Sequence, residues 1–181
     1  PRANASSDLR NPQPQRVTCL LYFFWLREPQ CRTVFAPAAH CPMIEAIYDN
    51  LECPVQYATG QTPTGHGTLS TNLDRYGKKA FLRADTLGED SVGRICTVRQ
   101  QLTGASHAEA VFVELPLADP GTPAVALGLE AHGFSFLGIG PHFSVRGDVL
   151  RMVYLIDALA REPIKTYEDF GAELVDYAIA K

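Results

Sequence analysis

The sequence predicts an α/β fold built on a mixed sheet with at least one parallel pair of strands. Residues 78–85 (KKAFLRAD) alternate with period two, placing Ala80, Leu82 and Ala84 on one face, whereas Val92, Ile95, Cys96, Val98 and Leu102 recur near helical spacing over about 90–102. The apolar run 109–117 (EAVFVELPL) reads as a second strand. A helix follows, with Thr122 as N-cap, Pro123 in its first turn and Gly133 closing it. Two further strands, 134–140 (FSFLGIG) and 148–156 (DVLRMVYLI), flank a loop holding Pro141 and Gly147. The order strand, helix, strand, helix, strand, strand requires a helical crossover, and a crossover returns the chain in the same direction.

The remaining elements fit around this core. Residues 1–15, rich in Asn, Ser, Pro and Gln, read as a disordered linker or fragment end, and 16–181 as a single domain. Residues 16–26 (RVTCLLYFFWL) have the composition of a buried strand. A faint echo links Val17 and Tyr22 to Val149 and Tyr154, each pair five positions apart in an apolar strand. Beyond Pro37, the stripe Met43, Ile44, Ile47, Tyr48, Leu51 predicts a short amphipathic helix with Pro42 in its first turn and His40 or Cys41 at its cap. His40 is then a polar cap or surface group. Strands are expected at 55–59 and 67–74, joined by a flexible hairpin loop GQTPTGHG. The chain ends in a helix capped by Thr166, with Glu168 and Asp169 at its positive end and Phe170, Leu174, Tyr177 and Ala178 on its apolar face.

Composition excludes several classes of function. The 181 residues carry 16 basic and 20 acidic side chains, a net charge of -4, with no basic run to meet a phosphate backbone, so no nucleic-acid partner is expected. No apolar run approaches the roughly 20 residues of a membrane span, and no membrane partner is expected. The N-terminus lacks a signal-peptide core, which points to the cytoplasm. Cys19, Cys31, Cys41 and Cys53 stand 10 to 12 residues apart and Cys96 alone, without a zinc-knuckle spacing, so all read as small buried hydrophobes and no metal is expected.

Catalytic motifs are sparse. Gly60 and Gly65 have the spacing of a phosphate-binding loop, but His66 and Gly67 stand where Lys and Ser or Thr are needed. Residues 133–137 lack the second Gly of a nucleophile elbow. His107, His132 and His142 have no metal-ligand spacing.

The run 78–155 resembles the second half of a GNAT-superfamily acyltransferase. More closely, residues 31–51 (CRTVFAPAAHCPMIEAIYDNL), 113–141 (VELPLADPGTPAVALGLEAHGFSFLGIGP) and 147–155 (GDVLRMVYL) are similar to the C-terminal GNAT-like region of bacterial proteins that also carry a histidine-kinase-like ATPase domain of the anti-sigma type. The likeness covers about 16–156. It implies a mostly antiparallel sheet with one splayed parallel pair, helices on both faces, and upstream domains in the same polypeptide. It also implies acetyl-CoA or another acyl-CoA as cofactor, with backbone groups of Leu82, Arg83 and Ala84 along the pantetheine arm and amides of 87–91, among them Leu87, Gly88 and Ser91, facing the pyrophosphate. Amine acylation needs a base and an acid. Glu114 stands in place for the first and Tyr154 for the second, against the plainer readings of a solvent-facing carboxylate and a core tyrosine. A small-molecule or protein amine would be the acceptor.

Two functions follow. One is an acyl-CoA-dependent acyltransferase or sensor within a larger bacterial regulatory protein. The other is an interaction module that has lost the cofactor, favoured by the acidic turn TLGEDS, whose carboxylates occupy the helix end that a phosphate would use.

Overall fold

The computed structural model describes residues 5–6, 15–16, 23–159, 164, 166 and 168–180. Its centre is a five-stranded sheet of β5 (Thr68–Asp74), β6 (Lys79–Thr86), β7 (Ala110–Pro116), β8 (Ser135–Ser144) and β9 (Gly147–Leu155), in the order β5-β6-β7-β9-β8. Within this sheet only β6 and β7 pair in parallel; the other three pairings are antiparallel. Earlier in the chain, Ala5–Ser6 (β1) pairs antiparallel with Gln15–Arg16 (β2), and β3 (Arg32–Val34) pairs in parallel with β4 (Val55–Tyr57). The mixed, mostly antiparallel sheet with its parallel pair is the architecture that the sequence predicts.

Among the described residues four α-helices complete the fold: α1 (Cys41–Asn50), α2 (Ser91–Ala105), α3 (Thr122–Glu130) and α4 (Asp169–Ala180). The β6-α2-β7 and β7-α3-β8 crossovers step across the sheet in the same direction, and right-handed crossovers of that kind place their helices on one side. Val111, Val113, Leu115, Leu150 and Met152, none more than barely accessible, line that side. Tyr48 of α1 reaches Asp148 there, Arg99 of α2 lies over Tyr154, and Tyr177 of α4 meets Phe136 edge-on. Of the helices expected on both faces, those among the described residues lie on this one.

Several local readings change. Residues 55–57 pair with 32–34 around α1, not with 68–74, so 60–67 is no hairpin loop. Pro141 lies within β8, which tolerates it as an edge strand with an irregular register between Gly140 and Ser144. Thr122 is the first residue of α3 and Gly121 its N-cap; the buried Thr122 hydroxyl donates instead to the Pro116 carbonyl at 2.6 Å. Gly133 does close the turn, at φ 84°, a conformation that suits glycine. Of the expected strand 16–26, residues 17–22 and the echo they carried lie outside the described residues. Residues 23–26 are irregular, with Phe24 and Leu26 87% and 97% exposed. Cys53 and Cys96 are buried, which pushes their thiols up, whereas Cys41 is half-buried and Cys31 exposed; Cys19 lies outside the described residues.

His40 is the largest change. It is 1% exposed, stacked on Phe136, with Nε2 bonded to Glu130 and Nδ1 2.8 Å from the Tyr177 hydroxyl, and makes no cap bond through its side chain. It ties α1, α3, β8 and α4 together. A second polar knot forms at Asp148, 5% exposed. Its carboxylate accepts from Arg32, from the Tyr48 hydroxyl at 2.8 Å and from the His142 N–H at 2.9 Å. Burial, with the Asp148 charge second, pushes the Tyr48 hydroxyl far above its ordinary range, so it remains a donor. Arg32 also lies over the Trp25 ring, whose Nε1–H donates to the Leu51 carbonyl.

Removing the carboxylate leaves a guanidinium and two other donors without their acceptor. Asp148→Ala should therefore cost about 3 kcal/mol, or roughly 6–12 °C in melting temperature for a chain of this length. Tyr48→Phe removes one donor from an acceptor that keeps others, and should cost only about 1 kcal/mol. Calorimetry on both variants checks the ranking; a larger loss from Tyr48→Phe would refute the anchoring role of Asp148.

Candidate functional site

The feature that opens a site is where β6 and β7 part. Their ladder runs from Lys79↔Ala110 to Arg83↔Glu114 and stops, although β6 continues to Thr86 and β7 to Pro116. Beyond that rung β6 pairs only with β5, through Leu69↔Ala84 and Thr68↔Thr86, and β7 only with β9. Leu82 and Arg83 thus sit inside the ladder with their backbones committed to neighbours, and Ala84 is the first residue past it.

The last rung is cross-linked. Glu114 is buried, 8% of its side chain exposed, and its Oε2 accepts from Arg83 Nε and Nη2 at 2.9 and 2.7 Å; its Oε1 lies 3.5 Å from Arg151 Nε. The three charges come one from each of three adjacent strands, β6, β7 and β9. The plain reading of Glu114 as a solvent-facing residue is corrected by this pairing, and both of its oxygens face guanidiniums. Burial draws Arg151 below its ordinary range, opposed by the Glu114 charge. Arg151 also stacks over Phe112 and Phe143.

Tyr154 lies elsewhere. Val111↔Tyr154 and Glu114↔Arg151 are three rungs apart, so the two side chains point to opposite faces of the sheet. Tyr154 packs on Phe134, with the Arg99 guanidinium 4.5 Å from its ring centre. Glu114 and Tyr154 do not form one acid-base constellation.

The turn after β6 is occupied by the chain itself. The Gly88 N–H donates to Ser91 Oγ at 2.9 Å, the Glu89 N–H to the Gly65 carbonyl at 3.0 Å, and the Ser91 N–H to the Gly88 carbonyl at 3.1 Å. Asp90 Oδ1 accepts from the Gly67 N–H at 2.8 Å, and Arg94 donates to the Gly67 carbonyl. Leu87 is buried beside Gly121. A Cβ on Gly88 would strike the backbone of 65–67, and one on Gly60 would meet Pro123, while the Gln61 N–H donates to the Pro120 carbonyl at 2.7 Å. Residues 60–67 therefore bridge the turn after β6 and the turn after β7. Of the amides expected to face a pyrophosphate, those of Gly88, Glu89 and Ser91 already have acceptors.

A cleft of about 390 Å³ remains, lined by Pro116, Ala118, Asp119, Pro120 and Arg146. Arg146, on the β8-β9 turn, donates through Nη1 to the Asp85 carbonyl at 3.0 Å, so the guanidinium reaches from the hairpin to the free end of β6. The sequence reading missed Arg146 and Arg151. The signal for Arg151 was a lone charge within an apolar strand; Arg146 had none beyond its place before a turn glycine. Among the described residues no cluster of three or more His, Cys, Asp or Glu could hold a metal, and no helix is long and apolar enough to cross a membrane.

No protein-family model and no curated protein matches the chain. Among solved structures it is similar to a point mutant of the spermidine N-acetyltransferase SpeG from Vibrio cholerae, at 14% identity and a TM-score of 0.39 over 49% of this chain and 57% of that one. The match spans little more than half of the acetyltransferase chain, and no residue role is carried over from it.

Asp90 makes the turn sensitive to acid. The Gly67 N–H, chiefly, and then His66 and Arg94 hold its carboxyl below the ordinary range, against some desolvation. A depressed folded value means that its contribution is present above the unfolded value of about 3.9 and is lost as pH falls through the folded one. Asp90→Asn keeps an acceptor for Gly67 and removes the proton linkage, so urea midpoints measured from pH 5 to 2 should fall less steeply in the variant. Parallel curves would refute the linkage.

Breaking the triad is a separate matter. Glu114→Gln leaves Arg151 buried without a counter-charge and should cost about 2–3 kcal/mol in urea unfolding, and adding Arg151→Met should recover part of that loss. A double variant no more stable than the single one would contradict this account.

Proposed function

We propose that this chain is an acyltransferase-fold domain that receives the thioester arm of an acyl-CoA where β6 and β7 diverge, and that it senses the ligand without transferring the acyl group. The observation that carries the reading is the ladder's end at Arg83↔Glu114 while both strands run on, so that β6 from Ala84 onward has no strand partner on its β7 side and the Asp85 carbonyl is met there by the Arg146 side chain. An extended amide-bearing arm can add to such an edge as a short strand would. The opposite-face placement of Glu114 and Tyr154 supports sensing over catalysis, since neither joins an acid-base pair at one reacting centre. If transfer does occur, the acceptor would be a small-molecule or protein amine. Attachment to upstream signalling domains and a cytoplasmic setting belong to the same reading, the first resting on the family resemblance and the second on the sequence of the N-terminus.

A second reading is favoured by one observation. Residues 60–67 fill the space between the two turns where the resemblance places the pyrophosphate, and an acidic side chain holds them there. A domain closed in this way serves as an interaction module without cofactor.

The two are separated by the melting temperature of the chain with and without millimolar acetyl-CoA and CoA. A ligand at 100 times its dissociation constant should add about 2.7 kcal/mol, or roughly 5–11 °C. No shift with either compound would remove the acyl-CoA reading and leave the interaction module.

A further inference from the structure

We infer that Arg146 is the anion-recognising residue of this domain, taking phosphate oxygens of the acyl-CoA at the mouth of the cleft in place of the amides of α2; the inference rests on the acyl-CoA reading above. Three observations lead to it. The expected phosphate seat is closed, because the Gly88, Glu89 and Ser91 N–H groups are bonded within the chain and Asp90 sets a negative charge there. The remaining cleft, about 390 Å³, is of the size that holds a ligand moiety, and among the described residues Arg146 is the one cation on its wall. Its guanidinium is exposed at the divergence and is tied through Nη1 to the Asp85 carbonyl, so the rest of its fork can meet a second acceptor.

A guanidinium suits this task because its paired N–H groups match two phosphate oxygens at once. Asp119 opposes it on the same wall. One oxygen of that carboxylate accepts from the Gly121 N–H at 2.8 Å, and its charge repels a phosphate. The cleft is therefore not a broadly positive surface. Recognition depends on direct contact with Arg146, and neutralising Asp119 should strengthen it.

Titration calorimetry of the full chain with CoA and with pantetheine, which shares the arm and lacks the phosphates, tests this. The unaltered chain should bind CoA more tightly than pantetheine. Arg146→Ala should weaken CoA roughly tenfold or more and leave pantetheine unchanged, Arg146→Lys should fall between, and Asp119→Asn should tighten CoA. Arg146 is at an exposed turn, and an unchanged melting temperature of the free variant confirms that it folds. Equal CoA affinity in Arg146→Ala and the unaltered chain overturns the assignment while the acyl-CoA reading stands. Pantetheine and CoA binding alike in the unaltered chain also overturns it. Absence of binding by either compound overturns both.

Discussion

The candidate site depends on one carboxylate, that of Glu114, held between arginines on the two neighbouring strands. Placing a carboxylate on a buried sheet position carries a large desolvation penalty unless counter-charges meet it with good geometry. Arg83 supplies that geometry from β6 through two hydrogen bonds, and Arg151 adds charge from β9. The cross-link sits at the last rung of the parallel ladder. Apolar side chains of similar volume could hold the three strands as strongly, but they would not fix a register so directionally. Glu114 thus marks where pairing ends and the strands are free to separate. The same commitment counts against the residue as a general base, since its lone pairs already face cations.

Much of the fold was legible because its signals are local. The alternation through Ala80, Leu82 and Ala84 belongs to a strand flanked on both sides, and the apolar run of β7, interrupted by Glu114, belongs to the strand at the sheet's centre. The stripe Met43, Ile44, Ile47, Tyr48 buries one face of α1 as its spacing requires. What was misread depends on partners distant in sequence. His40 looks like a cap until Glu130 and Tyr177, 90 and 137 positions away, enclose it. Glu114 looks solvent-facing until Arg83 and Arg151 arrive from strands 31 and 37 positions to either side. The parallel pairing of Arg32–Val34 with Val55–Tyr57 spans α1, and no three-residue strand announces its partner.

The glycine-rich stretch near 60–67 shows why a motif test can fail for the right reason and still hide a role. Its spacing does not make a phosphate loop. Gly67 and Gly88 are instead close-approach positions, where two turns pack backbone against backbone with no room for a side chain on Gly88. From sequence the acidic turn looked hostile to phosphate through charge alone. In the structure the carboxylate also supplies an acceptor that pins the opposing loop, so electrostatics and occupancy work in the same direction.

That coincidence separates the fold's history of uses from the capacity of this site. A diverging strand pair is a property of backbone topology and survives many substitutions, whereas binding requires groups left free on the strands and at their ends. Here the helix side of the divergence is bridged by residues 60–67, and the exposed Arg146 guanidinium stands at the β8-β9 turn. A ligand that needed the helix N-terminus would have to displace Gly67 from Asp90 and Gly65 from the Glu89 N–H before it could make one contact of its own. One entering beside Arg146 has at most the single hydrogen bond to the Asp85 carbonyl to break. The difference in what must be broken, more than the fold itself, sets the direction from which this domain can be addressed.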